Sequence, residues 1–409
     1  MPWRRWSVTR ERAQFVIEAA QGLWSVSELC ARYGISRKTG YYWMARYRRT
    51  GPAGLEDRSR RPHRSPQAID PTTVELVLEQ RSVHPSWGPK KLLARVARFH
   101  PGVRLPGRST VASWLKRRGL AKARGERRAP ERLGIGLGGA SSPNELWTTD
   151  YKGEFRLGNG HWCYPLTVVD AYSRFLLGCE GQAAIATEGA RATFERLFRE
   201  FGLPDRIGSD NGSPFGSTGI GGLSRLSVWW LKLGIRFERI EPGHPEQNGR
   251  HERMHRTLKE EAIPRHPPAP DLPRQQAEFD RFRAEFNQDR PHEALAGRVP
   301  ADLYRPSWRP YLEETPGLDY PAHFQRRQVH GNGCMLWKGQ EVYVSQTLKD
   351  EPVGLEEVSE GLWSLYFGPL LIGRICDGDH RLSRGTPTEP RRQRSHPPFE
   401  QKVLPMSLD

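Results

Sequence analysis

Three short acidic stretches between residues 147 and 256 constrain the fold of this chain more than any other feature. Asp150 ends a run with strand character, Asp210 ends a second such run and enters an Asn-Gly turn, and Glu252 lies in a predicted helix. Carboxylate oxygens suit hard divalent cations, and two such cations held together can cut a phosphodiester bond. The three stretches therefore predict one site, built where two strands and a helix meet.

The charge of the chain is concentrated in its first third. The 409 residues carry a formal net charge of +16. Residues 1–142 contain 29 Lys and Arg against 10 Asp and Glu, whereas the other 267 residues contain 34 against 37. A charge of this sign favours a polyanionic partner, which is nucleic acid or an acidic membrane surface. We therefore expect the polyanion-binding surface mainly in the first third.

The first 60 residues have the pattern of a helix-turn-helix DNA-binding domain. Gly34 permits a sharp turn after the second predicted helix, and Ser36 can cap the third. In a helix-turn-helix domain this last helix enters the major groove with its N-terminal residues first. The alternative is a solvated basic helix that only packs on its neighbours, through Tyr42, Trp43 and Tyr47. The candidate DNA-binding residues of the helix are Arg37, Lys38, Thr39 and Tyr41.

Residues 67–122 repeat the plan of three helices, though not the sequence of the first domain. Helical patterns begin near Pro71, Trp87 and Arg108. We expect a second helix-turn-helix or winged-helix-like domain that contacts DNA, and the alternative is a module that only docks against the domain that follows. Residues 123–142 lose helical periodicity and become rich in Arg and Gly, which is typical of a flexible linker.

Residues 143–310 alternate between strand and helix patterns. Three strands come first, over residues 147–155, 161–169 and 175–179, and helices and strands then alternate up to residue 287. The second strand is mostly apolar, so we expect it near the centre of the sheet. An antiparallel meander followed by alternating helices and strands predicts an α/β fold of the RNase H type.

Four motifs in this segment resemble those of the integrase-like DDE transposases of bacterial insertion sequences, which are related to retroviral integrases. They occur in the family's order and are Trp147-Thr-Thr-Asp150, Val169-Asp-Ala-Tyr-Ser-Arg174, Ser209-Asp-Asn-Gly212 and Pro245-Glu-Gln-Asn-Gly-Arg-His-Glu-Arg253. The resemblance implies that Asp150, Asp210 and Glu252 are both the catalytic and the metal-binding residues. It also implies that each active site holds two Mg²⁺ (or Mn²⁺) ions.

Glu246 competes with Glu252 for the third position. The spacing usual in the family favours Glu246, which 35 residues separate from Asp210, over Glu252, which 41 residues separate from it. We choose Glu252 because it lies three residues after Gly249, where the motif places its glutamate, and because the Gly-rich residues 216–222 indicate an insertion. The two glutamates are six residues apart, an offset of about 240° on one helix, so they would not share a site.

Two further features accompany the acidic stretches. Arg256 and Lys259 follow Glu252 on one stripe of the predicted helix, and the resemblance implies that they contact DNA. The alternative for Arg256 is an ion pair with Glu252 four residues earlier. Asp170 is a fourth carboxylate, but its Asp-Ala-Tyr-Ser context favours a β-turn over a metal ligand.

Neither the five cysteines nor the nearby histidines predict a zinc site. The cysteines are scattered and form no Cys-x-x-Cys pair, and His244, His251 and His255 match no known ligand spacing. We therefore expect reduced thiols in a cytosolic protein. The resemblance implies a bacterial protein associated with the nucleoid. The sequence shows no secretion signal, and no stretch is apolar enough to span a bilayer.

Residues 320–380 contain short strand patterns separated by glycine turns. The resemblance to the C-terminal domains of such transposases implies a small SH3-like β-barrel, whose role in DNA contact or subunit contact the sequence leaves open. Residues 381–409 are rich in Pro, Arg and Ser and are predicted to be disordered.

The whole chain is thus expected to be multidomain, with two N-terminal all-α helix-turn-helix domains, an α/β RNase H-like integrase core and a small C-terminal β-barrel. The leading function is a DNA transposase that frees a 3′-OH at the element's end and joins it to target DNA. Its expected partners are double-stranded DNA, as terminal inverted repeats and as target, and further copies of the chain in a homo-oligomer. The alternatives are a catalytically silent, element-derived DNA-binding regulator and a nuclease that cuts without joining.

Overall fold

The computed structural model describes residues 8–59, 68–121, 139–217, 219–239, 249–263, 267–377 and 381–383. The chain divides into two compact units, residues 1–68 and residues 69–409. The expected linker over residues 123–142 lies mostly outside the described residues, and so does the expected disordered tail over residues 381–409. None of the helices in the described ranges is both long and apolar enough to cross a membrane.

The first unit is a three-helix domain that ends in a short 3₁₀ turn. Its elements are α1 (Val8–Gln21), α2 (Val26–Arg32), α3 (Arg37–Thr50) and the turn at Gly51–Leu55. The chain turns between α2 and α3 through Gly34, whose φ of +63° is a left-handed conformation that favours glycine. Ser36 Oγ then accepts a hydrogen bond from Thr39 N, which caps α3. The predicted order of helix, glycine turn and basic helix is confirmed.

A second three-helix bundle, here called the second helical unit (residues 68–121), belongs to the larger compact unit. It consists of α4 (Pro71–Val83), α5 (Pro89–Phe99) and α6 (Arg108–Arg117). Pro71 and Pro89 each occupy the first turn of their helix, where a missing N–H costs nothing. The core of this bundle is apolar and contains Val77, Trp87, Leu92, Val96, Val111 and Leu115.

The next part of the chain is an α/β domain built on one six-stranded sheet. Its strands are β1 (Leu146–Tyr151), β2 (Phe155–Arg156), β3 (Trp162–Asp170), β4 (Leu176–Gln182), β5 (Arg206–Ser209) and β6 (Arg236–Arg239). Its helices are α7 (Thr187–Phe201), α8 (Arg225–Lys232), α9 (Gly249–Glu261) and α10 (Leu272–Gln288). The strand order is β2-β3-β1-β5-β6, with β4 also paired to β3. The antiparallel β1, β3 and β4 and the parallel β1, β5 and β6 confirm the predicted RNase H-like α/β fold.

Helices cover both faces of this sheet because successive residues of a buried strand point to opposite sides. Val168 of β3 packs on the face that contains α7 and α8, whereas Val169 packs on the face that contains α9 and α10. The first face is filled largely by aromatic rings, which include Trp147, Phe194, Phe198, Phe215 and Trp230. The second face contains Met254 and Leu258 of α9 and Phe279, Phe282 and Phe286 of α10.

The C-terminal domain is an all-β structure, but the predicted SH3-like barrel is not confirmed. Its strands are β7 (Gln325–Gln328), β8 (Cys334–Trp337), β9 (Gln340–Tyr343), β10 (Pro352–Ser359), β11 (Leu362–Phe367), β12 (Leu370–Cys376) and β13 (Leu382–Ser383). Five of them form an open sheet in the order β13-β12-β11-β10-β7, and β8 and β9 form a separate hairpin. Over the strands that the structure describes, β13 and β7 are the sheet's two edges, so the sheet does not close.

This C-terminal domain shares its apolar core with the α/β domain. Leu223, Val228 and Leu231, from α8 and the residues before it, belong to the same buried cluster as the side chains of β8 to β12. A Cβ at Gly221 would lie 2.9 Å from Ile372 Cγ2, so the Gly-rich stretch after Asp210 approaches β12 closely. The stretch interpreted as an insertion is therefore part of the surface on which the C-terminal domain packs.

Candidate active site

Asp150 lies near the end of β1, and Asp210 lies directly after the neighbouring parallel strand β5. The parallel register of β1 and β5 runs to the pair Thr148 and Gly208, and each aspartate lies two residues beyond its member of that pair. Neighbouring strands are about 4.8 Å apart, and residues two positions apart on a strand point to the same face. Strand pairing therefore places both predicted catalytic aspartates at the carboxyl edge of the sheet, where open α/β sheets bind their ligands.

Asp210 is exposed and holds the turn that follows it. Its Oδ1 accepts a hydrogen bond from Gly212 N at 3.2 Å. A Cβ at position 212 would lie 3.1 Å from Asp210 Oδ2, so a larger residue there would crowd the carboxylate. The Asn-Gly turn thus shapes the position of Asp210, as the sequence indicated.

Glu252 lies in the first turn of α9, and its side chain is exposed. The helix is anchored through Met254 and Leu258, which are buried among the residues of the second sheet face. Glu246 lies outside the described residues, so the choice of Glu252 over Glu246 stays a prediction. Within the described ranges, no three His, Cys, Asp or Glu residues form a group that could hold a metal ion. The strand register thus brings the two aspartates to the same edge of the sheet, but the described residues do not gather all three carboxylates into one ligand group.

Two buried histidines of α9 contact the sheet beside Asp150. His251 Nε2 and His255 Nε2 lie 2.6 Å and 2.7 Å from Thr167 Oγ1. His251 Nδ1 lies 3.2 Å from Thr148 Oγ1, and His255 Nδ1 lies 3.8 Å from Asp150 Oδ2. Sequence reasoning missed these contacts because it considered the histidines only as zinc ligands. Their spacing of four residues, which places both on one side of a helix, was the available signal.

Both imidazoles are neutral near pH 7. Burial lowers the pKa of His251 to about 3. Burial also lowers the pKa of His255 to about 2, and the neighbouring His251 and Lys152 act in the same direction. The approach of His255 to Asp150 is therefore not an ion pair, because the ring carries no charge.

Arg256 and Lys259 are exposed on α9. Glu252 and Arg256 form no ion pair with each other in the part of the chain that the structure describes. The exposed positions of both cations fit the predicted contact with DNA, which stays a prediction.

Asp170 is fully buried, and its carboxylate closes the turn between β3 and β4. Its Oδ2 accepts hydrogen bonds from Ser173 N at 2.7 Å and Ser173 Oγ at 2.5 Å, and its Oδ1 accepts one from Asn144 N at 2.8 Å. Burial raises the pKa of Asp170, although these hydrogen bonds oppose the rise. The β-turn interpretation of this residue is confirmed.

The candidate DNA-binding residues of α3 lie in its first two turns. Thr39 is half-buried at the helix cap, where its hydroxyl lies 2.8 Å from Ser36 Oγ. Trp43 and Tyr47 pack against the core of the first unit, as the packing interpretation expected, whereas Tyr42 is exposed. The other three candidates are exposed and are Arg37, Lys38 and Tyr41. The helix therefore packs through one side and presents a basic, aromatic side to solvent.

The second helical unit docks on the α/β domain through charged side chains. The pairs are His84–Glu285 at 2.8 Å, Arg95–Asp289 at 2.7 Å and Arg98–Asp302 at 2.7 Å, together with Lys90–Glu293. These contacts occupy Lys90, Arg95 and Arg98 of α5. The exposed basic residues at α6 are Arg108, Lys116, Arg117 and Arg118. The second helical unit therefore docks on the α/β domain, and the basic side chains at α6 stay exposed to solvent.

Comparison with known families matches three parts of the chain. The integrase core domain family matches residues 140–245 and residues 233–300. A helix-turn-helix domain family matches residues 11–63, and a homeodomain-like domain family matches residues 39–115. The matched segments coincide with the α/β domain and with the two helical units.

Individual relatives come from bacterial insertion elements and from retroviruses. The chain is 27% identical over 195 residues to the insertion element IS407 uncharacterized 31.7 kDa protein of Burkholderia multivorans, which covers 48% of this chain and 64% of that protein. It is 34% identical over 118 residues to the Gag-Pol polyprotein of baboon endogenous virus, which covers 29% of this chain and 6% of the polyprotein. The chain thus spans less than two thirds of the length of either relative.

Among solved structures, the HTLV-2 integrase catalytic core domain in complex with magnesium aligns with a TM-score of 0.32 at 16% identity. The alignment covers 42% of this chain and 100% of that domain.

Proposed function

We propose that this chain, whose integrase core is related to those of bacterial insertion elements, is a DNA transposase. In the first reaction, water attacks a phosphodiester at the element's end, the bond from phosphorus to the 3′ oxygen breaks, and a 3′-OH is released. In the second, that hydroxyl attacks a phosphodiester of target DNA, so one P–O bond forms as another breaks. Neither reaction needs a Ser, Tyr or Cys nucleophile.

The observation that supports this proposal is the parallel register of β1 and β5, because Asp150 and Asp210 each lie two residues beyond the pair Thr148 and Gly208. Two carboxylates at one sheet edge, one half-buried and one exposed, form a concentration of negative charge that is open to solvent. Carboxylate oxygens at such an edge are the ligands that hard divalent cations prefer. We propose that Glu252, from the helix that packs on the same sheet, completes the set.

The donor chemistry fits Mg²⁺ or Mn²⁺, because all three side chains offer carboxylate oxygens and hard cations prefer oxygen ligands. We propose two ions per active site. When bound, two such ions lower the pKa of the attacking water and stabilise charge on the leaving oxygen. We propose that the chain's own contribution is to hold Asp150 and Asp210 at one edge of the sheet, where both can reach a bound cation.

DNA binding is assigned to the basic first third. We propose that Arg37, Lys38, Thr39 and Tyr41 of α3 contact element ends, and that Arg256 and Lys259 of α9 contact the DNA that enters the active site. The separation of charge supports this division, since residues 1–142 have a net charge of +19 and the remainder has −3. Further copies of the chain would assemble on paired DNA ends.

The decisive test measures cleavage and joining with DNA that flanks this gene, a plasmid target and Mg²⁺. The unchanged protein should yield joined product. Asp150→Asn, Asp210→Asn and Glu252→Gln should each abolish it while binding the flanking DNA normally. Glu246→Gln is the matched control and should keep activity. An Asp150→Asn protein that still cleaves and joins DNA in Mg²⁺ would refute the assignment.

The regulator remains the second candidate, because the described residues include no group of three ligands that could hold a metal. The same assay separates the candidates. A regulator would bind flanking DNA and give no product in Mg²⁺ or Mn²⁺. A nuclease would give cleaved ends without joined product.

A further inference from the structure

We propose that the Thr167 hydroxyl, with His251 and His255, is a positioning group that ties helix α9 to strand β1. Through this tie it sets the position of Glu252 relative to Asp150. The inference rests on the proposed function, because it concerns the same carboxylates. It assigns roles to three residues that contact the metal-binding elements without belonging to the carboxylate set.

Thr167 lies at the centre of this contact. It is the register partner of Asp150 across the antiparallel pair of β3 and β1, and it is fully buried. Its Oγ1 donates a hydrogen bond to the Asp150 backbone oxygen at 3.0 Å. The same oxygen atom lies within hydrogen-bond distance of His251 Nε2 and His255 Nε2. One hydroxyl thus contacts both the strand that carries Asp150 and the helix that carries Glu252.

The number of hydrogens fixes the direction of these bonds. A hydroxyl donates one hydrogen and accepts two, and a backbone carbonyl can only accept. All three contacts are satisfied only if Thr167 donates to Asp150 and both histidines donate from Nε2–H. His251 Nδ1 is then an acceptor. The Thr148 hydroxyl lies 3.2 Å from it and 3.3 Å from the Val169 backbone oxygen, and its one hydrogen can bond to only one of the two at a time. The arrangement therefore selects one tautomer for each neutral ring.

These bonds give the helix an orientation that its apolar contacts do not provide. Met254 and Leu258 bury α9 against the sheet, but apolar burial is non-directional and tolerates small shifts of a helix along a surface. Hydrogen bonds weaken steeply with distance and angle. Two donors four residues apart that converge on one oxygen fix both the rotation and the translation of α9. Glu252 follows His251 directly in the chain, so its backbone position is fixed with it.

The test compares two substitutions of Thr167 that differ by one hydroxyl. Thr167→Val keeps the shape but leaves two buried Nε2–H groups without an acceptor, whereas Thr167→Ser keeps the hydroxyl. Thr149→Val is the matched control, because Thr149 is a buried threonine next to Asp150 whose hydroxyl has no hydrogen-bond partner in the described part of the chain. Each full-length variant is compared at a temperature at which its circular dichroism spectrum matches that of the unchanged protein.

The first readout is Mn²⁺ affinity, measured by calorimetry without DNA. Groups that orient metal ligands typically change affinity or activity about 10- to 100-fold when they are removed, so Thr167→Val should weaken Mn²⁺ binding by about that factor. Thr167→Ser and Thr149→Val should bind Mn²⁺ like the unchanged protein. The second readout is end cleavage, for which Thr167→Val should require more Mn²⁺ to reach half of its maximal rate.

A Thr167→Val protein that folds and binds Mn²⁺ like Thr149→Val would overturn the proposal. If Thr167→Val does not fold, His255→Gln and His255→Leu replace it, because Gln can place an amide N–H near the position of Nε2 and Leu cannot. Equal Mn²⁺ affinity in that pair would also overturn the proposal. If the unchanged protein binds Mn²⁺ but processes no DNA, the proposed function fails while the Mn²⁺ comparison still decides the positioning role. An unchanged protein that binds no Mn²⁺ refutes both.

Discussion

Glu285 of α10 accepts a hydrogen bond from His84 Nδ1 at 2.8 Å, and this contact joins the second helical unit to the integrase core. His84 is buried and stacks on Trp87 with a centroid distance of 3.8 Å. The hydrogen bond from His84 is the largest cause that lowers the pKa of Glu285. The stacking holds the His84 ring in place within the second helical unit. Because hydrogen bonds are directional, the bond from that ring to Glu285 favours one docked orientation of the unit.

Removing the acceptor should loosen this docking. Glu285→Ala should cost about 1 kcal/mol, since a charge-assisted hydrogen bond is discounted when the carboxylate is about one-third exposed. Hydrogen exchange should become faster in α4 to α6 and stay unchanged in α1 to α3. Glu293→Ala is the control, because the Lys90–Glu293 pair is exposed on both sides and should contribute little. Equal exchange in both variants would contradict the docking role of Glu285.

Because of Lys91, the free energy of unfolding should vary with pH in the alkaline range. Burial lowers the pKa of Lys91 to about 8 from an ordinary value of 10.5. Because the folded value lies below the unfolded one, the unfolded chain binds more protons between these values, and stability rises with pH across that window. Lys91→Met should remove this part of the slope. It should also raise the free energy of unfolding at pH 7 by about 1 kcal/mol, since the charged form is disfavoured there.

Urea unfolding at several values between pH 7 and pH 10 tests this prediction. The difference in unfolding free energy between Lys91→Met and the unchanged protein should shrink as pH rises. A difference that is constant over the range would show that Lys91 does not titrate in this window.

The C-terminal domain should not unfold independently of the integrase core, because Leu231 of α8 is part of its apolar cluster. Leu231→Ala should cost about 3 kcal/mol, as expected for a buried leucine. This loss of stability should appear in a single cooperative unfolding transition. Fluorescence from the integrase core and from the C-terminal domain should change together in it. Leu312→Ala, at a leucine that is 64% exposed, is the control and should have little effect. Two separate transitions would show that the domains are independent.

Asn144 hydrogen-bonds to β1, to the end of β3 and to residues 304–305 of the integrase core. Its backbone N–H donates to Asp170 Oδ1, and its side-chain N–H donates to the Arg305 backbone oxygen. Its side-chain oxygen accepts hydrogen bonds from Trp147 Nε1 and Tyr304 OH. Its φ of +64° is a left-handed conformation. Asn144→Gly loses the side-chain bonds but tolerates that φ, so it should cost about 2 kcal/mol. Asn144→Ala should cost about 1 kcal/mol more, because alanine is strained there. Chemical denaturation measures the free energy of unfolding of both variants. Equal decreases in the two variants would exclude a contribution from backbone strain.

The exposed cations at the start of α3 should control affinity for DNA. Arg37→Ala and Lys38→Ala should each weaken binding and reduce the slope of log affinity against log salt by about 1, since each removes a phosphate contact. Fluorescence anisotropy with DNA that flanks the gene measures this effect. Arg48→Ala, near the other end of α3, is the control and should change the slope less. An equal change at Arg48 would indicate general charge attraction rather than insertion of the N-terminal end of α3.

Some features of this protein are set by residues that are close together in sequence. Glycine turns, capping serines and apolar periodicity depend on residues within one or two helical turns. From them the sequence predicts the helix-turn-helix plan, the succession of strands and helices along the RNase H-like core and the β-turn at Asp170. The concentration of positive charge in the first third is likewise a property of composition. The acidic motifs could be identified in the same way, because their glycine and asparagine neighbours mark turns.

Contacts between residues that are distant in sequence come from the packing of the whole chain. The pairing of β1 with β5, which puts Asp150 level with Asp210, depends on hydrogen bonds between segments that are far apart in sequence. The convergence of His251 and His255 on Thr167, the docking of α5 on α10, and the shared core of α8 and the open C-terminal sheet depend on the same kind of contact. Short windows of sequence carry no register between distant segments, so these relationships arise only when the whole chain is packed.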